Sequence, residues 1–185
     1  DEVLCEIKCD MDTLKMGPVE DFSNFVNAVI DEASFNKLAG FIDRAKKDKD
    51  VEIIQGGNYD KSKGYFIRPT IIETTDPHFK TMEEEIFGPV VSMIRAKDLD
   101  EAIRIVNTRN YANAACIYTQ NGGAVRRFKY KVKPSMIGIN IGIAAPMSFF
   151  PFGGAGNSMF GDIKGHGQEI FQFYTDMKVV IERWY

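Results

Sequence analysis

The sequence predicts an α/β fold with a mostly parallel sheet and flanking helices. Three patterns carry this prediction: apolar residues recur at helical spacing in several segments, short β-branched runs lie between them, and helix and strand patterns alternate along the second half. Such alternation is typical of parallel strands joined by right-handed helical crossovers. With 185 residues, 44% of them apolar, the chain is long enough to bury one core.

The first half opens with two helical patterns. Val3, Leu4 and Ile7 lie at helical spacing with no N-cap residue ahead of them, so we expect a piece of a longer protein. The alternative is a true terminus that has lost a few residues. A second helix is predicted from Ser34 to Lys47, because apolar residues recur at helical intervals and charged residues fill the other face.

Strands follow in the middle of the chain. Residues 51–55 form a short strand pattern that stops at Gly56-Gly57, and residues 65–73 are extended. Pro69 argues against a fully central position in a sheet there, since proline cannot donate to the ladder. The later predicted elements, in order, are strand 90–94, a helix opened by a capping box of Asp98 and Glu101, strand 114–119, helix 121–131, strand 137–141, short helix 168–174 and strand 178–184.

Composition excludes several classes of protein. The formal net charge of −3 and the absence of a basic stripe argue against a nucleic-acid partner. No apolar run approaches the roughly 20 residues that span a bilayer, and the start matches neither a signal nor a transit peptide. Three cysteines are too few for a disulfide scaffold. We therefore expect an intracellular protein of the cytoplasm or mitochondrial matrix, with no membrane association.

Other candidate sites fail on spacing. Cys5 and Cys9 lie one helical turn apart, but His78 and His166 are the only histidines and no second cysteine pair exists, so no metal site is predicted. The glycine-rich segment 153–156 lacks the Lys-Ser/Thr of a phosphate loop, and segment 161–167 follows no clear strand. His166 also lacks the partners of a hydrolase triad.

Two motifs carry the chemistry. Residues 83–90 read EEEIFGPV, which places the Glu85 carboxylate and the Phe87 ring beside a glycine-proline corner. A carboxylate can accept hydrogen bonds from two adjacent hydroxyls, whereas the plain alternative is a solvated carboxylate and a core phenylalanine. The second motif, residues 151–154 (PFGG), follows an aromatic pair and a strand that ends at Asn140. Its glycines permit a tight turn, with Phe149, Phe150 and Phe152 as apolar lining of a pocket. A glycine-rich turn over a phenylalanine core is the equally simple alternative.

These motifs resemble the aldehyde dehydrogenase superfamily, in the C-terminal part of its catalytic domain. The resemblance implies that Glu85 and Phe87 contact the nicotinamide ribose side of NAD or NADP, and that PFGG lies near the aldehyde entrance, with Asn140, Phe149, Phe150 and Phe152 on the substrate. It also implies attack by a cysteine thiolate and hydride transfer to NAD(P)+. The family's Gly-Gln-x-Cys segment does not occur here, and Cys116 fits a strand core, so no catalytic residue is predicted in this chain.

The two halves resemble different subfamilies. Segments KMGP (15–18), NAVID (27–31) and GYFIRP (64–69) look like pyrroline-5-carboxylate (glutamate-semialdehyde) dehydrogenases, whereas GINIG (138–142), APM (145–147) and FFPF (149–152) look like methylmalonate-semialdehyde dehydrogenases. Ile143 to Met147 does not match the anchor loop of the glutamate-semialdehyde enzymes, and Gly156 stands where lysine is frequent. The substrate is therefore open on the sequence alone.

We expect the parent protein to oxidise a small acidic semialdehyde, glutamate semialdehyde first, through a cysteine thioester. The alternatives are a CoA-acylating enzyme of the methylmalonate-semialdehyde type and a non-catalytic module that keeps the fold. Residues 1–175 are assigned to the partial catalytic domain and residues 176–185 to a C-terminal oligomerisation strand. Because an apolar edge needs a partner, we expect a homo-oligomer with Val179, Ile181 and Trp184 at or near the contact.

Overall fold

The computed structural model describes residues 2–185 and divides them into two compact units. Unit 1 ends at Arg95, and unit 2 runs from Ala96 to Tyr185. The EEEIFGPV motif belongs to unit 1 and the PFGG motif to unit 2. Each candidate site is therefore built by its own unit.

Unit 1 combines three helices with five strands. The elements are α1 (Glu2–Thr13), α2 (Glu32–Lys47), β1 (Val51–Gln55), β2 (Tyr59–Asp60), β3 (Phe66–Ile67), β4 (Thr70–Thr74), α3 (Lys80–Glu83) and β5 (Val90–Met93). The central strand β4 pairs antiparallel with β1 and parallel with β5, and β2 and β3 form a small antiparallel pair. The predicted helix 34–47 and strand 51–55 are confirmed.

Local chemistry explains the ends of these elements. The carboxylate of Asp31 caps α2 by accepting a hydrogen bond of 2.7 Å from the Ser34 amide. After β1, Gly56 and Gly57 both adopt positive φ, at 79° and 81°, which other residues rarely do. The Gly57 amide then donates to the Thr70 hydroxyl at 2.9 Å, so the turn is fastened to the start of β4.

The core of unit 1 forms under the apolar face of α2. Leu38 and Ile42 are fully buried there, and Ile67 of β3 and Ile86 of the loop before β5 pack into the same cluster. None of the residues of α1 is buried, in contrast. The loop that carries Glu85 is thus attached to the best-packed part of unit 1.

Unit 2 is built around a βαβ crossover. The elements are α4 (Leu99–Asn107), β6 (Tyr111–Ala112), β7 (Ala114–Ile117), α5 (Gly122–Lys131), β8 (Met136–Ile139), β9 (Ala155–Gly156) and α6 (Glu169–Tyr174). Strands β7 and β8 pair in parallel and α5 connects them, while β6 and β9 form a short antiparallel pair. Ile103 of α4, Phe128 of α5 and Val132 form the small core of this unit.

Asp98 caps the first helix of unit 2 as the sequence predicts, but the Glu101 carboxylate binds a different amide from the one that a capping box uses. Asp98 caps α4 by accepting from the Glu101 amide at 2.8 Å, as predicted. The Glu101 carboxylate reaches back to the amide of Lys97 at 2.8 Å, one residue before the cap. Asn121 caps α5 in the same way, by accepting from the Ala124 amide.

One fold prediction needs correction, and one stays a prediction. The sheets are mixed rather than mostly parallel, since only two of the five strand pairings in the described part of the chain are parallel. Residues 178–184 are assigned to no strand in this single chain, so their predicted pairing with another subunit stays a prediction. Among residues 2–185, no helix is long and apolar enough to cross a membrane.

Candidate functional site

The first candidate site is the Glu85 loop, residues 84–89, which connects α3 to β5. Ile86 points into the core of unit 1, whereas its neighbours Glu85 and Phe87 are exposed. This inward-outward alternation holds the backbone in place and directs the carboxylate and the ring to the surface. Phe87 is therefore not packed in the core of unit 1, and its contact with a cofactor stays a prediction.

Three contacts fix the backbone of the Glu85 loop. A Cβ on Gly88 would lie 2.5 Å from Leu38 Cδ2, so only glycine allows the loop to approach α2 this closely. The Pro89 carbonyl accepts from the Thr70 amide at 2.9 Å. The Lys37 ammonium donates to the Glu85 carbonyl at 2.8 Å. The loop is therefore held at both ends before any ligand is present.

Phe87 adopts a backbone conformation that is unusual for an aromatic residue. Its φ is +57°, in the left-handed region, and 83% of its surface is exposed. Such a conformation costs on the order of 1 kcal/mol for a residue other than glycine. Core packing does not explain this backbone conformation, because the Phe87 side chain is exposed. Unfavourable backbone geometry of this kind clusters at binding sites.

The three consecutive glutamates of the motif differ in their partners. Glu83 pairs with Nδ1 of His78 at 2.7 Å, and Glu84 pairs with the Lys80 ammonium at 3.2 Å. Across residues 2–185, no side chain forms an ion pair with the Glu85 carboxylate. Glu85 is therefore the one glutamate of the run whose carboxylate is available to a ligand.

The second candidate site is the Pro151 loop, residues 148–154, which leads into β9. Phe149, Phe150 and Phe152 are all exposed, and the rings of the first two lie 4.7 Å apart between centroids. The Phe152 ring lies 5.5 Å from the ring of His166. Exposed aromatic rings in one loop suit an apolar contact, and the predicted substrate contact of these rings stays a prediction.

Hydrogen bonds hold the Pro151 loop in its turn. Phe152 and Gly165 exchange two backbone hydrogen bonds, of 2.7 and 3.0 Å. The Ser135 hydroxyl donates to the Gly153 carbonyl, and the Lys164 ammonium donates to the Gly154 carbonyl. The Lys164 side chain also covers Gly153, where a Cβ would lie 2.9 Å from Lys164 Cδ.

Asn140 lies directly after β8, also with a positive φ, of 55°. Its Oδ1 accepts from the Thr119 amide at 2.8 Å, and its Nδ2 donates to the Thr119 carbonyl at 3.1 Å. The side chain thus continues the ladder between β7 and β8 by mimicking a backbone. This arrangement leaves one N–H and one lone pair of the amide for any other contact.

Three residues that position these loops carry no signal in the sequence: Lys37, Ser135 and Lys164. Each binds a loop carbonyl that lies 10 or more residues away, 48 residues for Lys37, and no short motif signals such a contact. The cysteines add no nucleophile signal, since Cys116 is half-buried in β7 with its Sγ 3.8 Å from the Gly142 carbonyl. Among residues 2–185, no group of three or more potential metal ligands occurs.

Comparison with known proteins identifies relatives over nearly the whole chain. Residues 1–180 match the model of the aldehyde dehydrogenase family. A malonate-semialdehyde dehydrogenase from Geobacillus kaustophilus is 37% identical over 187 aligned residues, which cover 100% of this chain and 38% of the relative. The chain therefore spans well under half the length of the relatives that it matches.

Solved structures give the same result. The methylmalonate-semialdehyde dehydrogenase of Oceanimonas doudoroffii superposes with a TM-score of 0.92 at 32% identity. The superposition covers 100% of this chain and 38% of the Oceanimonas chain. A protein from Sinorhizobium meliloti, described as a putative methylmalonate-semialdehyde dehydrogenase and solved with NAD, superposes with a TM-score of 0.91 at 27% identity and with the same coverage.

These relatives change one sequence-based expectation. They match the first half of the chain as well as the second, so the separate likeness of the first half to glutamate-semialdehyde dehydrogenases, and the link to proline metabolism, find no support in them. These relatives are malonate- and methylmalonate-semialdehyde dehydrogenases, so they agree better with the methylmalonate-semialdehyde alternative.

Proposed function

Since this chain belongs to the aldehyde dehydrogenase family, we propose that it supplies cofactor and substrate contacts to an NAD(P)-dependent semialdehyde dehydrogenase. We propose malonate or methylmalonate semialdehyde as its substrate, in place of glutamate semialdehyde. The observation that carries this proposal is the 37% identity to a malonate-semialdehyde dehydrogenase across the entire chain. The chain corresponds, in this proposal, to the C-terminal part of the catalytic domain.

The cofactor side of the proposal rests on the Glu85 loop. An exposed carboxylate without an ion-pair partner can accept hydrogen bonds from both hydroxyls of a ribose. The exposed Phe87 ring would lie against the flat nicotinamide side. When bound, NAD(P)+ supplies the hydride acceptor of the reaction. The residues present therefore fit the cofactor that the family uses.

The substrate side of the proposal rests on the Pro151 loop. Phe149, Phe150 and Phe152 would exclude water from the aldehyde and line its path, because exposed aromatic rings favour an apolar surrounding. Asn140 would hold the segment before the loop through its bonds to Thr119 and offer its remaining N–H to the substrate. The cysteine nucleophile and most of the nucleotide site would come from other parts of a longer protein.

A chimera tests this function. The 185 residues replace the matched region of the Geobacillus kaustophilus enzyme, and the remaining residues of that enzyme supply the cysteine nucleophile and the rest of the nucleotide site. We expect NADH formation with malonate semialdehyde, tested with and without CoA, and much lower activity with glutamate semialdehyde. A folded chimera, with native-like circular dichroism and oligomeric state, that reduces NAD only with glutamate semialdehyde would overturn the substrate proposal. A folded chimera that is inactive with both would favour a non-catalytic module.

The isolated chain provides a second test. Because it contains no Gly-Gln-x-Cys segment, we expect no NADH from the purified 185-residue protein with either semialdehyde. Turnover by this protein would contradict the proposal that the nucleophile lies elsewhere. A Cys116→Ala variant would then show whether the half-buried cysteine of β7 is responsible.

We also propose that residues 1–175 form part of the catalytic domain and that residues 176–185 pair with another subunit. Val179, Ile181 and Trp184 are all exposed in the single chain, which is unfavourable for an apolar segment in water. Trp184 is the only tryptophan, so its emission reports on this segment alone. We expect the emission to shift to shorter wavelength as protein concentration rises. A concentration-independent spectrum with a monomeric mass from light scattering would contradict the pairing.

A further inference from the structure

We propose that Asn121 is a site of spontaneous deamidation, at which the chain converts an asparagine to aspartate and isoaspartate. The chain has ten asparagines, and only Asn121 is followed by glycine. Asn121 is exposed and lies just outside α5, as its N-cap. The site is independent of the proposed dehydrogenase function, since it requires only the dipeptide, its geometry and water.

The backbone at Asn121 brings the reacting atoms together. In deamidation, the amide nitrogen of the following residue attacks the side-chain carbonyl carbon, which requires an extended ψ. Asn121 has φ −87° and ψ 105°, whereas a helical residue would direct that nitrogen away. Gly122 is the first residue of α5, so its N–H has no acceptor within the helix.

The surroundings of Gly122 leave the nitrogen open to reaction. Apart from its chain neighbours and the backbone of α5, no heavy atom lies within 4 Å of the position that a Cβ of Gly122 would occupy, and no Cβ shields the nitrogen. The other asparagines are followed by larger residues, which crowd the attacking nitrogen. The smallest of these following side chains are the alanines after Asn27 and Asn113, and the next smallest is Ser158, after Asn157.

A hydrogen bond also activates the carbonyl that is attacked. The Ala124 amide donates to Asn121 Oδ1 at 3.1 Å. As the nitrogen attacks Cγ, negative charge develops on this oxygen, and a donor that already points at it stabilises that charge. The cap of α5 therefore promotes the reaction as well as starting the helix.

The chemistry balances without any oxidant or cofactor. A bond forms between Gly122 N and Asn121 Cγ, the Cγ–Nδ2 bond breaks, and the Gly122 amide proton leaves with the amino group as ammonia. The resulting succinimide adds one water. Opening at Cγ gives aspartate, and opening at the main-chain carbonyl carbon gives isoaspartate, whose backbone contains one extra methylene.

The two products differ in their effect on unit 2. Aspartate keeps the cap, and its charge is favourable at the helix N-terminus. Isoaspartate displaces the segment before α5, where the Asn121 amide donates to the Thr119 hydroxyl at 3.1 Å. The Thr119 backbone in turn holds Asn140, so the change reaches the end of β8.

Incubation of the full 185-residue chain at mildly alkaline pH tests the proposal. Trypsin releases peptide 110–126, which contains Asn110 and Asn113 as internal controls beside Asn121. Fragment masses locate the exchange of NH2 for OH, and an isoaspartyl methyltransferase detects the isoaspartate. We expect Asn121 to react at least about tenfold faster than any other asparagine, a difference of about 1.4 kcal/mol in the barrier.

Two glycine variants separate the chemistry from stability. Gly122→Ala adds a shielding Cβ where space is open, and we expect it to slow the reaction about tenfold. Gly40→Ala makes the same change in α2, where space is also open, and should leave the rate unchanged. Equal rates at Asn121 in the parent and in Gly122→Ala would overturn the proposal, as would faster reaction at another asparagine.

Discussion

The two candidate loops are held in place by different combinations of contacts. The Glu85 loop is attached by core packing, with Ile86 in the core of unit 1 and Gly88 against Leu38, in addition to hydrogen bonds from Lys37 and Thr70 to its carbonyls. The Pro151 loop is held by polar contacts, in which Ser135 and Lys164 bind its carbonyls. The comparison indicates that core substitutions will displace the first loop, and that loss of single hydrogen bonds will loosen the second.

The largest expected effect comes from Ile86→Ala. Truncation of a buried isoleucine removes apolar contacts and leaves a cavity, which costs about 2–5 kcal/mol. We expect a correspondingly lower midpoint of urea unfolding and faster hydrogen exchange in the peptides of α2 and the Glu85 loop.

Phe87→Ala is the matched control for Ile86→Ala. It alters the adjacent, exposed residue of the same loop, so we expect a change within about 0.5 kcal/mol. Similar losses of stability in the two variants would contradict the assignment of Ile86 as the anchor of the loop.

The next effect is that of Gly88→Ala. The new methyl group would lie 2.5 Å from Leu38 Cδ2, and overpacking of this kind costs about 1–3 kcal/mol. Leu38→Val removes the δ carbons that cause the clash. In a double-mutant cycle measured by urea unfolding, the two changes should therefore cost less together than the sum of the single variants. Additive losses would show that the loop does not depend on this contact.

A smaller effect is expected in the Pro151 loop for Lys164→Met. The variant keeps an apolar side chain over Gly153 but removes the donor to the Gly154 carbonyl, a loss of about 1 kcal/mol. We expect faster amide exchange at Phe152 and Gly165, with the core of unit 1 unchanged. Lys164→Arg should largely restore protection, and Lys129→Met, on the exposed surface of α5, should have no effect. Unchanged amide exchange in Lys164→Met would show that the hydrogen bond from Lys164 does not hold the Pro151 loop.

The smallest effect concerns a polar contact on the packed core of unit 1. The Tyr59 hydroxyl donates to Asp43 at 2.8 Å, and this bond, followed by desolvation and the carboxylate charge, raises the pKa of Tyr59 above 10.0. A raised pKa favours the protonated phenol in the folded state. The contact therefore stabilises the fold fully below about pH 10, and the stabilisation is lost as the pH rises through the folded pKa.

Tyr59→Phe tests this pH dependence. The variant should be slightly less stable at neutral pH and should lose less stability than the parent protein between neutral pH and pH 11 in urea unfolding. Because Tyr59 also packs edge-on against Phe35, at 5.6 Å between ring centroids, phenylalanine keeps the apolar contact. Parallel pH profiles for the two proteins would show that the bond to Asp43 has no effect on stability.

The fold was predictable where local signals were sufficient. Strand 51–55 and the cap at Asp98 follow from residues within a few positions of one another, and the structure confirms both. The direction of strand pairing was not predictable, because β1 and β4 meet in antiparallel register across a connection that itself contains the β2–β3 pair. The segment 178–184 has a strand pattern, but a strand requires a partner that this chain does not provide.

The candidate sites were predictable as motifs and not as geometry. The residue types of EEEIFGPV indicated a ligand-facing loop, but not which of its glutamates keeps an unpaired carboxylate. That distinction depends on His78 and Lys80, which pair with Glu83 and Glu84. Likewise, nothing in the PFGG motif indicated that Lys164 would bind it.

The chimera with the Geobacillus kaustophilus enzyme tests the proposal that the Glu85 carboxylate recognises the cofactor ribose. The direct measurement is the KM for NAD of Glu85→Gln against that of Glu84→Gln, which alters the adjacent glutamate paired with Lys80. We expect a KM raised about tenfold or more for Glu85→Gln, from the loss of charge-assisted hydrogen bonds worth about 1.5–3 kcal/mol, and little change for Glu84→Gln. Equal KM values in the two variants and the unmodified chimera would contradict it.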